Sequence, residues 1–204
     1  AKKVFIVSST PRERGNSDIL AEEFARGARD AGHEVCKVNI REMQLQFCIG
    51  CLYCQNHEGC VLQDGMNALY ESVQNADVLV FATPVYYYGM SGQLKTFLDR
   101  LNPLFPRNNK FREVYLLASA AEDDGSAMDG AVSGVQGWID CFAGVRLAGV
   151  VRATGVTGIG QAKGSAASVQ AYETGKGRIT LRAKYSVETG AGGKKLIVIT
   201  ELPY

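Results

Sequence analysis

The chain has 204 residues, of which 46% are hydrophobic, and its 22 Lys and Arg residues are balanced by 21 Asp and Glu residues. This composition suits a folded domain of about 150–180 residues with a smaller appendage. The balanced charge argues against a general nucleic-acid or membrane surface, and the apolar runs are too short to span a bilayer.

Strands and helices alternate in the first three quarters of the chain. Short apolar runs predict strands at 4–8, 35–40, 78–82, 114–119 and 147–154. Apolar residues at helical spacing predict helices at 18–31, 66–75, 91–101 and 130–142. This order predicts an α/β fold with a doubly wound, five-stranded parallel sheet, in which ligands bind at the carboxyl ends of the strands. Because the first strand directly follows Lys2 and Lys3, with no signal peptide, we expect a cytoplasmic protein with reduced thiols.

The composition changes near Gly155. Residues 155–177 are rich in Gly, Ala and Ser, which favours a linker. From Ile179 the apolar residues alternate with polar ones, a glycine-rich turn covers 189–193, and a second apolar run follows at 196–202. This pattern predicts an appended β-hairpin. We therefore expect an α/β domain over 1–165, a linker over 166–177 and a hairpin over 178–204.

The loop after the first strand, residues 8–17, is rich in hydroxyl groups. Backbone N–H groups and the positive end of a helix dipole converge there, which is how α/β proteins hold a phosphate. Arg12 or Arg14 could add charge-assisted hydrogen bonds. The alternative is that Ser, Thr and Asn residues of this loop only cap the helix.

Two further loops follow neighbouring strands of the predicted sheet. Residues 83–92 contain three consecutive tyrosines with glycines, which could form a flat wall for a tricyclic flavin ring. The alternative is that these tyrosines pack an ordinary loop or a dimer interface. The loop from Ser119 to Asp124 should close over the same crevice, with its acidic residues facing solvent.

Four cysteines lie within thirteen residues, at Cys48, Cys51, Cys54 and Cys60. Their C-x₂-C-x₂-C-x₅-C spacing could wrap an iron-sulfur cluster, and four thiolates could also bind zinc. A redox-active pair formed by Cys51 and Cys54, or a set of free thiols, is the other alternative. Cys36 and Cys141 are expected to be small buried hydrophobic residues.

Residues 1–175 resemble the NAD(P)H-dependent FMN reductases of the multimeric flavodoxin type, which include the iron-sulfur flavoproteins. The matching segments are SSTPRERGNSDILAEEF, CIGCLYCQ with GCVLQDGM, ATPVYYYGMSGQLKTFLDR, and the stretch from LLASAAEDD to GWIDCF. The resemblance implies a flavodoxin-like fold, FMN as cofactor with NAD(P)H as electron donor, and a homodimer or homotetramer.

The same resemblance implies which residues hold the cofactors. The FMN phosphate would be bound by Ser9, Arg12, Gly15, Asn16 and Ser17. The flavin ring would be contacted by Pro84, Val85, Tyr86, Tyr87, Tyr88, Gly89 and Met90, and by the loop that carries Ser119, Ala120 and Glu122. A [4Fe-4S] cluster would be held by Cys48, Cys51, Cys54 and Cys60.

Residues 171–204 instead resemble a stretch of the DNA-cleaving chain of the bacterial type II topoisomerases, DNA gyrase and topoisomerase IV, up to the terminal ITELPY. This second resemblance suggests a chimera, although it covers only a hairpin.

Three functions follow from these patterns. The first is an oxidoreductase that passes electrons from NAD(P)H through FMN to a quinone, a flavin or another small acceptor. The second is an iron-sulfur flavoprotein that exchanges electrons with ferredoxin-like partners. The third is a scaffold whose basic tail governs assembly; binding of nucleic acid or a membrane is not expected.

Overall fold

The computed structural model describes residues 1–105, 107–177, 184–189 and 195–201, with the backbone alone described in the last two ranges. Its main sheet contains six strands: β1 (Lys3–Ser8), β2 (Glu34–Asn39), β3 (Val78–Tyr86), β4 (Gly89–Met90), β5 (Glu113–Ser119) and β6 (Arg146–Ala153). Six helices accompany them: α1 (Asn16–Asp30), α2 (Tyr53–Asn56), α3 (Tyr70–Gln74), α4 (Gly92–Arg100), α5 (Asp129–Ile139) and α6 (Ala166–Gly175).

The sheet has the strand order β2-β1-β3-β5-β6, and all of these pairs are parallel. This is the predicted doubly wound α/β fold of the flavodoxin-like type. The sheet also has a sixth strand that was not predicted. This is the two-residue strand β4, which pairs antiparallel with the end of β3.

The core lies on both faces of the sheet. One face packs α1 and α6 against residues such as Ile6 and Val80, and the other packs α4 and α5 against residues such as Phe81 and Leu116. Val78–Ala82 is buried at every position, as expected for a strand that is covered on both faces. The parallel strands therefore present their carboxyl ends together at one edge, where the candidate loops lie.

Residues 166–177, expected to be a linker, instead contain the ten-residue helix α6. A Cβ atom placed on Gly27 of α1 would collide with the Tyr172 carbonyl of α6, and one on Gly175 would collide with the Phe24 carbonyl of α1. The small residues of this region allow two helix backbones to approach closely.

The hairpin prediction is met within the described part of the tail. Strands β7 (Lys184–Thr189) and β8 (Lys195–Glu201) pair antiparallel with each other in a separate two-stranded sheet. The predicted strand residues 179–183 and the predicted turn residues 190–193 lie outside the described residues. Among the helices that the structure describes, none is long and apolar enough to cross a membrane.

Candidate functional site

Three loops lie side by side at the carboxyl edge of the sheet. Ser8, at the end of β1, is the register partner of Ala82 in β3, and Pro84 of β3 is the partner of Ser119 at the end of β5. The loops that follow these strands therefore start next to one another at this edge of the sheet. Proteins with this fold bind ligands at this position.

Ser9 anchors the first loop to the neighbouring strand. Its backbone N–H and its hydroxyl both donate to the Ala82 carbonyl at 2.9 Å. The Ser91 hydroxyl donates to Ser9 Oγ, also at 2.9 Å, and Ser91 Oγ caps α4 by accepting from the Leu94 N–H. The contribution of Ser91, which joins the first loop to the tyrosine loop, was not predicted from the sequence.

The first loop turns tightly into α1 at Gly15. A Cβ atom at this position would lie only 2.5 Å from Thr10 Oγ1, so a side chain would displace the loop. Among the described residues, no side chain caps the free N–H groups at the start of α1. These donors, together with the positive end of the helix dipole, form an environment that favours an anion.

The hydroxyl group of Ser17 lies within this first turn of α1. Ser17 is fully buried, and its Oγ has no hydrogen-bond partner within the part of the chain that the structure describes. A buried hydroxyl without a partner is costly. This group therefore fits a site that is completed by a bound acceptor, such as a phosphate oxygen.

Arg12 and Asn16 contact residues 157–162, which lie in the Gly-, Ala- and Ser-rich stretch after β6. Arg12 Nη1 donates to the Thr157 carbonyl at 3.0 Å, and Asn16 Nδ2 donates to the Gly158 carbonyl at 2.9 Å. Asn16 Oδ1 also accepts from the Ala162 N–H at 3.0 Å. The structure thus brings residues 157–162 into contact with the first loop. Their glycine-rich composition did not predict this contact.

The tyrosine loop is a tight turn with an unusual backbone. Tyr87 and Tyr88 have φ angles of +47° and +63°, between the paired residues Tyr86 and Gly89. Such a left-handed conformation costs about 1–2 kcal/mol per residue for residues other than glycine. Tyr87 is fully exposed and Tyr88 is 63% exposed, so the strain is not offset by burial of the rings. Strained residues of this kind cluster at functional sites.

The remaining predicted ring contacts differ in exposure. Pro84, Ser119 and Ala120 are buried, whereas Glu122 is exposed, as expected for the acidic loop. Val85, Gly89 and Met90 are half-buried. The Glu122 carbonyl accepts from the Gly155 N–H at 2.8 Å, so this loop also contacts the segment after β6.

The four clustered cysteines line one small cavity, which also includes Arg100 and Asn102. Cys48 and Cys51 are exposed, Cys60 is half-buried and Cys54 is buried. Burial raises the pKa of the Cys54 thiol, and Asn102 Nδ2 donates to its Sγ at 3.3 Å. Within the described residues, no three His, Cys, Asp or Glu side chains form a group that could hold a metal ion.

A buried ion pair lies beside residues 47–60, which carry the four clustered cysteines and are called the cysteine loop. Arg100 contacts Asp64 through two hydrogen bonds, of 2.5 and 2.9 Å, and donates to the Gln46 carbonyl at 2.8 Å. Burial disfavours the ionised form of Asp64, but hydrogen bonds from Arg100 and from backbone N–H groups still hold its pKa below the usual value. Elsewhere, Cys36 and Cys141 are exposed, so the expectation that they are buried was wrong.

The sequence profile of the NADPH-dependent FMN reductase family matches residues 2–148. An iron-sulfur flavoprotein of Archaeoglobus fulgidus is 36% identical over 102 residues, which are 50% of this chain and 46% of that protein. Iron-sulfur flavoprotein MJ0731 of Methanocaldococcus jannaschii is 36% identical over 110 residues, 53% of this chain and 54% of that protein. The matched segments thus span about half the length of these curated relatives.

Solved structures share the fold. An NAD(P)H:quinone oxidoreductase from Methanothermobacter marburgensis superposes with a TM-score of 0.65 at 18% identity, over 86% of this chain and 96% of that chain. At this identity the likeness concerns the arrangement of strands and helices alone.

Proposed function

Because the chain belongs to the family of NADPH-dependent FMN reductases, we propose that it binds FMN and passes electrons from NAD(P)H through the flavin to a small acceptor such as a quinone or a free flavin. FMN, when bound, supplies the chemistry of hydride acceptance and electron donation. One observation carries the proposal: the Ser17 hydroxyl is buried at the start of α1 and has no partner among the described residues. No described side chain caps this helix start, and the adjacent Gly15 leaves no room for a side chain.

The first loop would hold the phosphate of FMN. Ser17 Oγ and the N–H groups at the start of α1 would donate to it, and Gly15 would allow its close approach. Arg12 uses Nη1 for the Thr157 carbonyl, and its remaining donors would be available to the phosphate. Ser9 is fixed by β3 and Ser91 and would shape the floor of the site.

The other two loops would position the flavin ring. Pro84 to Met90 would supply an aromatic wall and backbone groups, and Ser119, Ala120 and Glu122 would border the opposite side. Aromatic rings favour stacked contacts with other flat rings. These residues would orient the ring and exclude water, and none of them is assigned a proton-transfer role.

The decisive test is flavin binding by the purified protein. FMN titration should quench flavin fluorescence with saturation, and anaerobic addition of NADPH should bleach the flavin band near roughly 450 nm. Gly15→Ala should weaken FMN binding about tenfold or more, because its Cβ would displace the loop. Gly137→Ala in α5, where a Cβ meets nothing within 4 Å, is the matched control. A folded sample that stays colourless in excess FMN, with an unchanged melting temperature, would refute the proposal.

A second candidate function is that of an iron-sulfur flavoprotein electron carrier with ferredoxin-like partners. It is supported by the single cavity that Cys48, Cys51, Cys54 and Cys60 line together, and by the relatives named as iron-sulfur flavoproteins. Within the described residues these thiols do not form a group that could hold a metal ion, so ligation would require them to converge inside this cavity, where a [4Fe-4S] cluster would supply single-electron transfer. Anaerobic purification should then yield about four irons per chain, and Cys54→Ser should abolish the iron. Absence of iron after anaerobic reconstitution would reject this candidate.

We also propose a homodimer or homotetramer in the cytoplasm. Exposed apolar side chains support self-association: Phe47, Ile49 and Leu52 in the cysteine loop and Tyr87 in the tyrosine loop. The six free cysteines suit a reducing compartment. Light scattering during gel filtration should give a mass of two or four times 22.0 kDa, and a 22.0 kDa particle at micromolar concentration would exclude the oligomer.

The resemblance of the tail to topoisomerase remains a hypothesis of chimeric origin. It predicts that the hairpin contributes little to the α/β domain. A chain truncated after Gly177 should keep its FMN affinity and its melting temperature within a few degrees. A large loss of either would mean that the tail is an integral part of the domain.

A further inference from the structure

The segment from Thr154 to Ser165 connects two parts of the fold that flank the first loop. It begins after β6, at the edge of the sheet, and ends at α6, which packs closely against α1. Its two ends are therefore fixed by β6 and by α6, and α6 in turn packs against α1, the helix that begins at the first loop. The segment lies beyond residue 148, where the match to the family profile ends.

Asn16 fastens this segment to the start of α1. Both polar atoms of its amide are engaged, one by the Gly158 carbonyl and the other by the Ala162 N–H. Asn16 is only 3% exposed, so its rotamer is fixed by packing as well as by hydrogen bonds. The Asn16 side chain therefore joins the start of α1 to the backbone of residues 158 and 162. The family resemblance instead implies that Asn16 contacts the phosphate directly.

Gln161 fixes the acceptors that the first loop uses. Its Oε1 accepts the N–H groups of both Thr157 and Gly158, each at 2.7 Å. The carbonyls of the same two residues accept from Arg12 and Asn16. The peptide group between Thr157 and Gly158 donates to Gln161 through its N–H and accepts from Arg12 through its carbonyl, so a short chain of hydrogen bonds runs from Gln161 to the first loop.

We propose that residues 154–165 form the second wall of the phosphate site, and that Gln161 and Asn16 are positioning residues that set the preference for FMN over riboflavin. The inference rests on the proposed binding of FMN. Neither residue touches the phosphate in this account; together they hold Arg12 and the first turn of α1 in the geometry that receives it. A phosphomonoester should benefit from this positioning, whereas the flavin ring should not.

The test compares two ligands in the full-length protein. Dissociation constants for FMN and for riboflavin are measured for the wild type, for Gln161→Ala and for Asn16→Ala. Gln170→Ala, an exposed glutamine in α6, serves as the matched control. In both loop variants we expect the FMN constant to rise about tenfold while the riboflavin constant stays within about twofold. The control should retain the wild-type values, and circular dichroism should show folded protein throughout.

The ratio of the two constants separates positioning from a general structural role. If both constants rise together, the segment only supports the fold; if neither changes in Gln161→Ala, the hydrogen bonds do not reach the phosphate site. Either result overturns the inference while leaving FMN binding intact. A wild-type protein that binds no FMN would instead refute the proposed function, and the inference with it.

Discussion

At the scale of single residues, the Ser17 hydroxyl should destabilise the flavin-free protein and stabilise its complex with FMN. In the described structure it is buried without a partner, and removal of such a group is neutral or stabilising for a fold. Ser17→Ala should therefore leave the melting temperature of the flavin-free protein unchanged or higher. The same change should weaken FMN binding about ten- to hundredfold, because a hydrogen bond to a charged phosphate is lost.

Thermal melts without ligand and FMN titrations measure the two effects on the same samples. Ser168→Ala in α6 is a suitable control, because the Ser168 hydroxyl already donates to the Ser165 carbonyl at 2.8 Å. That variant should lose some stability and retain FMN affinity. A Ser17→Ala protein with unchanged affinity would show that this hydroxyl is not part of the phosphate site.

Loss of the buried Arg100 side chain should cost much more stability than loss of an exposed ion-pair partner. The side chains of Arg100 and Asp64 are only 1% and 6% exposed. Arg100→Met would leave a buried carboxylate without its partner, so we expect the free energy of unfolding to fall by about 3–5 kcal/mol. The pair Lys95–Asp99, on the same helix α4, is 60% and 45% exposed, and Lys95→Met should cost less than about 1 kcal/mol.

Urea unfolding of both variants at neutral pH provides the comparison. The double variant Arg100→Met with Asp64→Leu should recover much of the loss, because no charge is then left buried. Equal effects of Arg100→Met and Lys95→Met would contradict the assignment of Arg100 as the support of the cysteine loop.

At the scale of elements, the turn between β3 and β4 places two exposed tyrosines, Tyr87 and Tyr88, in a backbone conformation that lowers the stability of the fold. Asn-Gly is the favoured pair for a turn in which both central residues have positive φ. Replacing Tyr87 and Tyr88 by Asn and Gly should therefore stabilise the flavin-free protein by about 1–2 kcal/mol, while FMN affinity falls because the wall is removed. Urea unfolding and FMN titration measure the two effects.

Tyr86 provides the control for that turn, since it lies in the extended strand β3 and carries no positive φ. Tyr86→Gly should destabilise the protein, because it removes strand propensity without relieving strain. If the Asn-Gly variant were also less stable than the wild type, the two tyrosines would be held by contacts that outweigh their backbone strain.

The same region shows what the sequence could and could not predict. Val78–Ala82 was recognisable because every residue is apolar, whereas the extension of β3 to Tyr86 was not, since Pro84 and the tyrosines are typical of a loop. Helix α6 was missed because its Gly, Ala and Ser residues suggested flexibility, although Gly27 and Gly175 in fact permit close contact between α1 and α6. Local composition cannot reveal either feature, because the end of β3 is extended by pairing with β4 and β5, and the close contact of α6 is with α1, more than a hundred residues away in the chain.

Some features of the candidate site could likewise be predicted from the sequence, and others could not. The first loop and the tyrosine loop could be found from residue types that follow predicted strands. The roles of Ser91, Asn102 and Gln161 could not, because each depends on a hydrogen bond to a residue that is distant in the chain or to the backbone of an irregular loop.

At the scale of the whole molecule, the two edges of the sheet serve different purposes. The carboxyl edge bears the candidate site, and the amino edge bears ion pairs that join the starts of different strands. Asp77 accepts the Lys3 N–H at 2.7 Å and pairs with Lys110 at 3.0 Å. Glu113 pairs with Lys2 at 2.7 Å and with Arg146 at 2.6 Å. These carboxylates connect β1, β5 and β6 at their starts.

The carboxylates at the amino edge should make the folded protein less stable at acid pH. Hydrogen bonding from the Lys3 N–H lowers the pKa of Asp77, and hydrogen bonding from Lys2 lowers that of Glu113. A carboxylate whose pKa is lowered by folding contributes stability above its unfolded pKa, about 3.9 for Asp and 4.3 for Glu, and this contribution disappears as the pH falls through the folded value. We therefore expect the free energy of unfolding to be constant from pH 7 to about pH 5 and to decline below about pH 4.

Urea unfolding of the flavin-free protein at pH 7, 5, 4 and 3 tests this dependence. Asp77→Asn keeps an acceptor for the Lys3 N–H but removes the titrating charge, so its curve should be flatter below pH 4 than that of the wild type. Glu71→Gln in α3 removes an exposed carboxylate by the same kind of substitution and serves as the matched control. Since the amino edge lies opposite the candidate site, FMN affinity at pH 7 should be the same in all three proteins. A wild-type free energy that does not fall between pH 5 and pH 3 would mean that these ion pairs contribute nothing to the stability of the sheet.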